Sequence, residues 1–448
     1  MRPIIRYFVS ICVLFKMGTS LGIQEPYSLR LDLPILDMPS NTQNSITFPS
    51  MNQSLAISRS YYDVVHLGLA QFDNINPRAE GWNGFFSRLT YAAVDIFSFY
   101  IPGGNGWLHE EWHRAVMSKH GISSYNDIYR LNFFSPVVAV SHVTDEELAK
   151  LKEQNPEDQV RLAAAGMEAE HSLAQDLERD LFFRGNTSYR TTLLWFLQIS
   201  PAQYLATCAS TKADESTEEG NQADGASIKK RDFIGLDCNG WIRDLSRPKE
   251  PYADRGAHPS GVGVDRYTTY SELSPTEKKY LRLSRNFSLL NFVDPFLFNK
   301  TEFRGAGIWV ENGASYNFKL RHDLASFGNS LSGQFFYKNS ALKTHSSLFA
   351  FHNRNHWFPG LEVELVEMPI GSDWDLGIRG QIWKQPKDFL FDTSSGTLGG
   401  LAGVKIAYKG FDRVNPYFNV IGKTRGWVSG IVDQERNLES IIGLVATY

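Results

Sequence analysis

The chain has 448 residues, enough for two or three domains that each bury a core. A formal net charge of −4, with no basic cluster interleaved with aromatics, excludes nucleic acid as the expected partner. Three cysteines cannot furnish a four-thiolate metal site, and an aromatic share of 13% is high for a soluble enzyme.

Residues 1–20 read as an export signal. Arg2 and Arg6 form a basic start, 7–15 a short apolar core, and Gly18 and Ser20 the small residues before a cleavage point. The core is too short to span a bilayer, and Cys12 leaves with it. Residues 21–58, rich in Pro, Ser, Thr and Asn, read as an extended arm. One short strand is expected where Leu29 and Leu31 alternate with Arg30 and Asp32.

A mainly helical domain is expected over 59–300. Residues 85–100 read as a buried helix, broken by Pro102-Gly103-Gly104. The next helix has Asn105 as a plausible N-cap, apolar positions at Leu108, Trp112, Ala115 and Val116, and Gly121 at its stop. It contains His109-Glu110-Glu111-Trp112-His113. Positions i and i+4 share a helix face, so His109 and His113 could offer two imidazole nitrogens to one Zn²⁺. Glu110 beside them is placed as the general base that activates water. The plainer alternative is an amphipathic helix with two incidental histidines.

Thr144 and Glu147 form a capping box that starts a helix ending near Gln154. Asn155, Pro156, Glu157 and Asp158 then open a long helix that stops at Gly185. Along its stripe of Ala163, Met167, Ala174, Leu177 and Leu181, Glu170 interrupts the apolar face. A buried carboxylate is costly without a partner, and metal ligation would satisfy it. Glu170 is therefore the expected third ligand, with His171 and Glu168 as alternatives, against a rim Glu paired with an Arg.

Residues 191–209 carry no charge; with Pro201 inside, they read as a helix in a core or on a membrane surface. Residues 211–232 read as a mobile insertion. Cys208 and Cys238 flank it, and a bridge between them would be worth roughly 3 kcal/mol, two separate buried thiols being the alternative. His258 lies in a loop that could wall a cleft and supply a group behind the ligands or to an oxyanion, a plain loop being the simpler alternative. Ser274 and Glu277 start one more helix, ended by Asp294-Pro295.

From 301 to 448 the apolar period changes to two, as in Tyr316, Phe318 and Leu320 or Leu361, Val363 and Leu365. No helical pattern intervenes, so an antiparallel sheet of about eight to ten strands is expected. A membrane barrel and a soluble sandwich both fit alternation. Strand length, aromatics near strand ends such as Trp309, Trp357, Trp374 and Trp427, and a C-terminus of Gly443, Ala446 and Tyr448 favour the barrel. The fold class is thus α+β: a helical domain followed by an antiparallel β-barrel.

The His109–His113 segment resembles the zincin metallopeptidases, and a glutamate on a later helix is similar to the gluzincin arrangement. That resemblance implies zinc on His109, His113 and Glu170, with Glu110 activating water. It departs from the family in lacking a Glu-x-x-x-Asp run from Glu170 and any third histidine after Gly121. The C-terminal third is similar, in pattern only, to small bacterial outer-membrane barrels. Together these imply a zinc-dependent peptide hydrolase, exported and anchored in the outer membrane, its helical domain periplasmic and its substrate a protein or peptide. Two other classes stay open. One is a non-catalytic outer-membrane structural or binding protein. The other is a di-iron carboxylate protein built on the pairs Glu110/His113 and Glu168/His171.

Overall fold

The computed structural model describes residues 28–38, 49–75, 82–131, 138–185, 190–305, 313–411 and 413–447, with the backbone alone for 37–38, 70–75, 82–88 and 190. The export segment, Cys12, Trp309 and Tyr448 lie outside the described residues. A helical region precedes a large antiparallel sheet, so the chain is α+β.

Nine α-helices occur among the described residues: α1 Met51–Ile75, α2 Trp82–Ser98, α3 Asn105–Lys119, α4 Asp145–Gln154, α5 Pro156–Arg184, α6 Arg190–Cys208, α7 Asp214–Asp224, α8 Asp237–Ser246 and α9 Pro275–Ser288. Their ends follow local chemistry. Both halves of the Thr144/Glu147 and Ser274/Glu277 capping boxes form, at the starts of α4 and α9. α5 opens on Pro156 with two acidic residues in its first turn and stops at Gly185, whose φ of +73° suits glycine. Among the described residues no helix is long and apolar enough to cross a membrane.

Two segments differ from expectation. The arm 21–58 already contains an eleven-residue strand, β1 Ser28–Met38, and the start of α1. Ser50 Oγ accepts from Gln53 N at 3.2 Å and Gln53 Oε1 accepts from Ser50 N at 3.0 Å, a capping box with glutamine that outweighs the polar composition around it. The segment expected as a mobile insertion is folded. It carries α7, whose Thr217 and Asn221 are buried, and Asn221 is bonded to Asp265.

The main sheet has ten strands in the order β1-β12-β11-β10-β9-β8-β7-β6-β5-β4. Its later members are β4 Phe303–Arg304, β5 Ser315–Ala325, β6 Gly328–Lys338, β7 Lys343–His352, β8 Trp357–Pro369, β9 Trp374–Pro386, β10 Gly396–Tyr408, β11 Val414–Lys423 and β12 Asn437–Thr447. The other sheet among the described residues is the two-stranded pair β2 Tyr125–Asn126 and β3 Val140–Ser141.

Neither flank of the sheet is left bare. At the β1 flank, Arg30 N donates to Asp63 Oδ2 at 3.1 Å and Arg30 O accepts from Arg59 Nη2 at 3.2 Å, both partners lying on α1. At the other flank, β5 runs past its short partner, and Leu320 N donates to Val293 O at 3.0 Å and His322 N to Asn291 Oδ1 at 2.6 Å. The helical region thus satisfies backbone groups that would otherwise invite a foreign strand.

Alternation along the strands buries polar side chains on one face and exposes apolar ones on the other. Lys319, Arg321, Asp323, Gln334, Glu362, Gln381 and Glu439 are buried on one face. Phe318, Leu348, Val363, Ile378, Ile382 and Leu398 stand exposed on the other, Ile382 at 65% and Leu398 at 80%. The polar face is tolerable because α5 lies against it and pairs with it. Lys319 Nζ reaches both Glu178 oxygens at 2.5 Å, Arg179 reaches Glu364 at 2.6 Å, and His171 meets Asp323 at 3.0 Å.

Candidate metal centre

The H-E-x-x-H segment lies on a helix, α3, as expected. Its N-cap is Gly104 rather than Asn105, which is instead the first helical residue and donates its N–H to Tyr62 Oη at 3.0 Å. α3 packs against α5 so that both imidazoles face that longer helix. His113 Nδ1 lies 2.6 Å from Leu162 O, and His109 Nδ1 lies 2.9 Å from Glu170 Oε1. Leu162, Gly166 and Glu170 are four residues apart and share one face of α5. Gly166 sits in the middle because nothing larger fits: a Cβ there would lie 2.1 Å from His109 Nε2.

A backbone carbonyl only accepts, so His113 Nδ1 donates to it, which leaves Nε2 as the nitrogen a metal would take. Glu170 fixes His109 in the same sense. The two Nε2 atoms then converge on one oxygen, Asp237 Oδ2, at 3.2 Å from His109 and 3.4 Å from His113. Imidazoles oriented through Nδ1 by a carbonyl and a carboxylate, with Nε2 turned to a common point, are the usual preparation for a metal. The donor atoms of His109, His113 and Asp237 all lie within 4.8 Å of one another. Two imidazoles and one carboxylate suit Zn²⁺ and related transition cations.

Asp237 is the first residue of α8, and its N–H donates to Tyr204 Oη on α6 at 2.9 Å. A disulfide joins Cys208, at the end of α6, to Cys238, the residue after Asp237. The carboxylate is therefore pinned on both sides by α6.

Acidic side chains crowd this point. Burial pushes Glu110 up to about 8 despite the pull of His109, and the Asp237, Asp127 and Glu111 carboxylates add to the rise. Burial and the Glu110 and Asp237 carboxylates raise Asp232 well above the usual range. Burial would raise Asp237 too, but the two imidazoles bring it down to about 2. Burial opposes charge on His109, yet bonds to Asp237 and Glu170 raise it well above its ordinary value. A divalent cation would relieve the crowded carboxylates at once.

Among the acids near the two imidazoles, Asp237 rather than the expected Glu170 is therefore the candidate third ligand. Asp237 holds the position opposite both Nε2 atoms, whereas Glu170 stands behind His109 and orients it. Glu168 is bonded to Arg161 at 2.7 Å and to Gly430 N at 2.9 Å, and His171 to Asp323 and Asn291. Both face the sheet, so the two Glu-x-x-His pairs of a di-iron site are not brought together. His258 is bonded to Ser260 and Asn221 O and belongs to the wall around α7. A second group, His345, Glu362 and Glu364, lies on the polar face of the sheet, but Arg379 and Arg179 already neutralise its carboxylates.

Asp237→Ala is expected to weaken zinc binding by more than about 100-fold, and Glu170→Gln by about tenfold, in a competition titration against a chromophoric chelator. The reverse ranking would restore Glu170 as the ligand. Asp237 was hidden from sequence reasoning because it lies 124 residues beyond His113; its one clue is that it adjoins Cys238. No protein-family model matches this chain and no curated protein is significantly similar to it, so the functional reading rests on the geometry of His109, His113, Glu110 and Asp237.

Proposed function

We propose that the protein is a zinc-dependent hydrolase of peptide bonds. The observation that carries this reading is the convergence of His109 Nε2, His113 Nε2 and Asp237 Oδ2 while both Nδ1 atoms are occupied by α5. A zinc ion at that point supplies Lewis acidity to water and to a substrate carbonyl. Glu110, next to His109 and outside the ligand set, takes the proton from the attacking water and passes it to the leaving amine. The shell of α3, α5, α6 and α8 excludes bulk water, which strengthens each of these charge interactions.

The same proposal places the protein in the bacterial outer membrane, with the sheet as a small barrel and the helical domain on the periplasmic side. An exposed apolar face backed by a buried charged one, on strands mostly of 10 to 13 residues, supports that placement.

Glu110→Gln tests the chemistry. It should keep zinc at one equivalent and lower casein hydrolysis by at least about 100-fold. Equal activity in the variant and the wild type would remove the catalytic role and leave a metal-binding outer-membrane protein without peptidase activity.

A further inference from the structure

The centre is roofed over. The disulfide between Cys208 and Cys238 closes a loop that contains α7, a 3₁₀ turn over Ile228–Lys230 and the run Asp232 to Asp237. Phe233 from this loop packs its ring 4.9 Å from that of His113. His113 is left 1% exposed and Glu110 7%. Phe233 thus lies against the His113 side of the centre, while the His109 side chain keeps 14% of its surface open. The roof is held by Phe233 N donating to Val140 O at 3.1 Å, Arg231 Nη2 to Val262 O at 2.8 Å and Arg266 Nη1 to Asp232 O at 3.2 Å.

On the outer side of the same loop, Lys229 and Lys230 are exposed, whereas Arg231 immediately after them is buried. The turn is closed by Lys230 N donating to Ser227 O at 2.8 Å and Arg231 N to Ile228 O at 3.3 Å. A surface turn with exposed basic side chains is the kind of site that peptidases nick first.

The geometry points to Lys229-Lys230 as an activation cleavage site for a second peptidase that cuts after basic residues. This rests on the metal-centre reading above. One amide bond is hydrolysed with one water, giving a carboxylate on the lysine and an ammonium on the residue after it. The cut severs the covalent path into Arg231 and Phe233, so the roof loses one of its two anchors to the chain. Asp237 stays in place because it lies beyond the cut and beside Cys238. The disulfide also keeps the two halves in one molecule, so activation releases nothing.

The test uses the full chain loaded with Zn²⁺ and nicked briefly with trypsin under non-reducing conditions. Cleavage should give one band without reductant and two with it. Withdrawal of zinc by EDTA and hydrolysis of casein should both rise by at least about tenfold on nicking. Lys229→Gln with Lys230→Gln should hold both at the uncut level under the same treatment. A nicked protein that keeps its zinc and releases it at the old rate would overturn the roof while leaving the hydrolase reading standing. Faster release without hydrolysis would do the opposite. Failure of trypsin to cut this turn in the folded protein, or of the chain to bind zinc at all, would overturn the proposal outright.

Discussion

Gly166→Ala is expected to abolish stoichiometric zinc binding without unfolding the protein. The added Cβ would meet His109 Nε2 at 2.1 Å, Cδ2 at 2.2 Å and Cε1 at 2.5 Å, distances no real Cβ shows. The ring must therefore swing away, losing Glu170 behind it and Asp237 in front. Meanwhile alanine suits a helix interior better than glycine by roughly 0.5–1 kcal/mol, so α5 itself is favoured by the change. The two effects separate cleanly. Zinc affinity should fall by more than about 100-fold, and hydrolysis with it, while the thermal midpoint stays within a few degrees of wild type. Wild-type zinc affinity in this variant would show that the His109 ring does not lie where the geometry puts it.

Lys319→Met should be among the most damaging single changes away from the centre. Lys319 is 1% exposed, sits 2.5 Å from both oxygens of Glu178 and also approaches Asp294 at 3.5 Å. Methionine fills the same space but leaves two buried carboxylates without their cation. Breaking a buried pair from one side costs about 3–5 kcal/mol. Lys319→Met with Glu178→Leu should recover most of that loss, since an apolar pair of similar volume needs no compensation. Denaturant unfolding of the three proteins measures the difference directly. A single variant as stable as wild type would mean that α5 does not seal the polar face of the sheet as described.

These two sites also show what can be read from residues alone. Local rules were legible: the capping residues of α4 and α9, the proline start and glycine stop of α5, and the period-two runs of the sheet all act within a few residues of chain. The pair His109 and His113 was legible for the same reason, being one helical turn apart. Glu170 was correctly singled out as an acid on an apolar stripe that needs a partner, but the partner is an imidazole, which no spacing rule distinguishes from a metal. Asp237 arrives from a distant helix, and Gly166 reads as a mild helix defect until His109 is seen against it. The segment around α7 was misread because its composition is that of solvent-exposed chain; its order comes from Asn221, Asp224 and Arg231 bonding to residues beyond 257. Ser50 and Gln53 were a missed helix start in plain view.

The pairing of β1 with β12 has a consequence for how the molecule is made. Ser28 lies opposite Thr447, so β1 waits for a mate more than 400 residues further along the chain before its ladder can close. Searching for so remote a mate is slow, because closure of a long chain segment is entropically costly before any bond rewards it. Shortening the chain by its final ten residues should leave β1 unzipped and the product prone to aggregation, however sound the helices upstream.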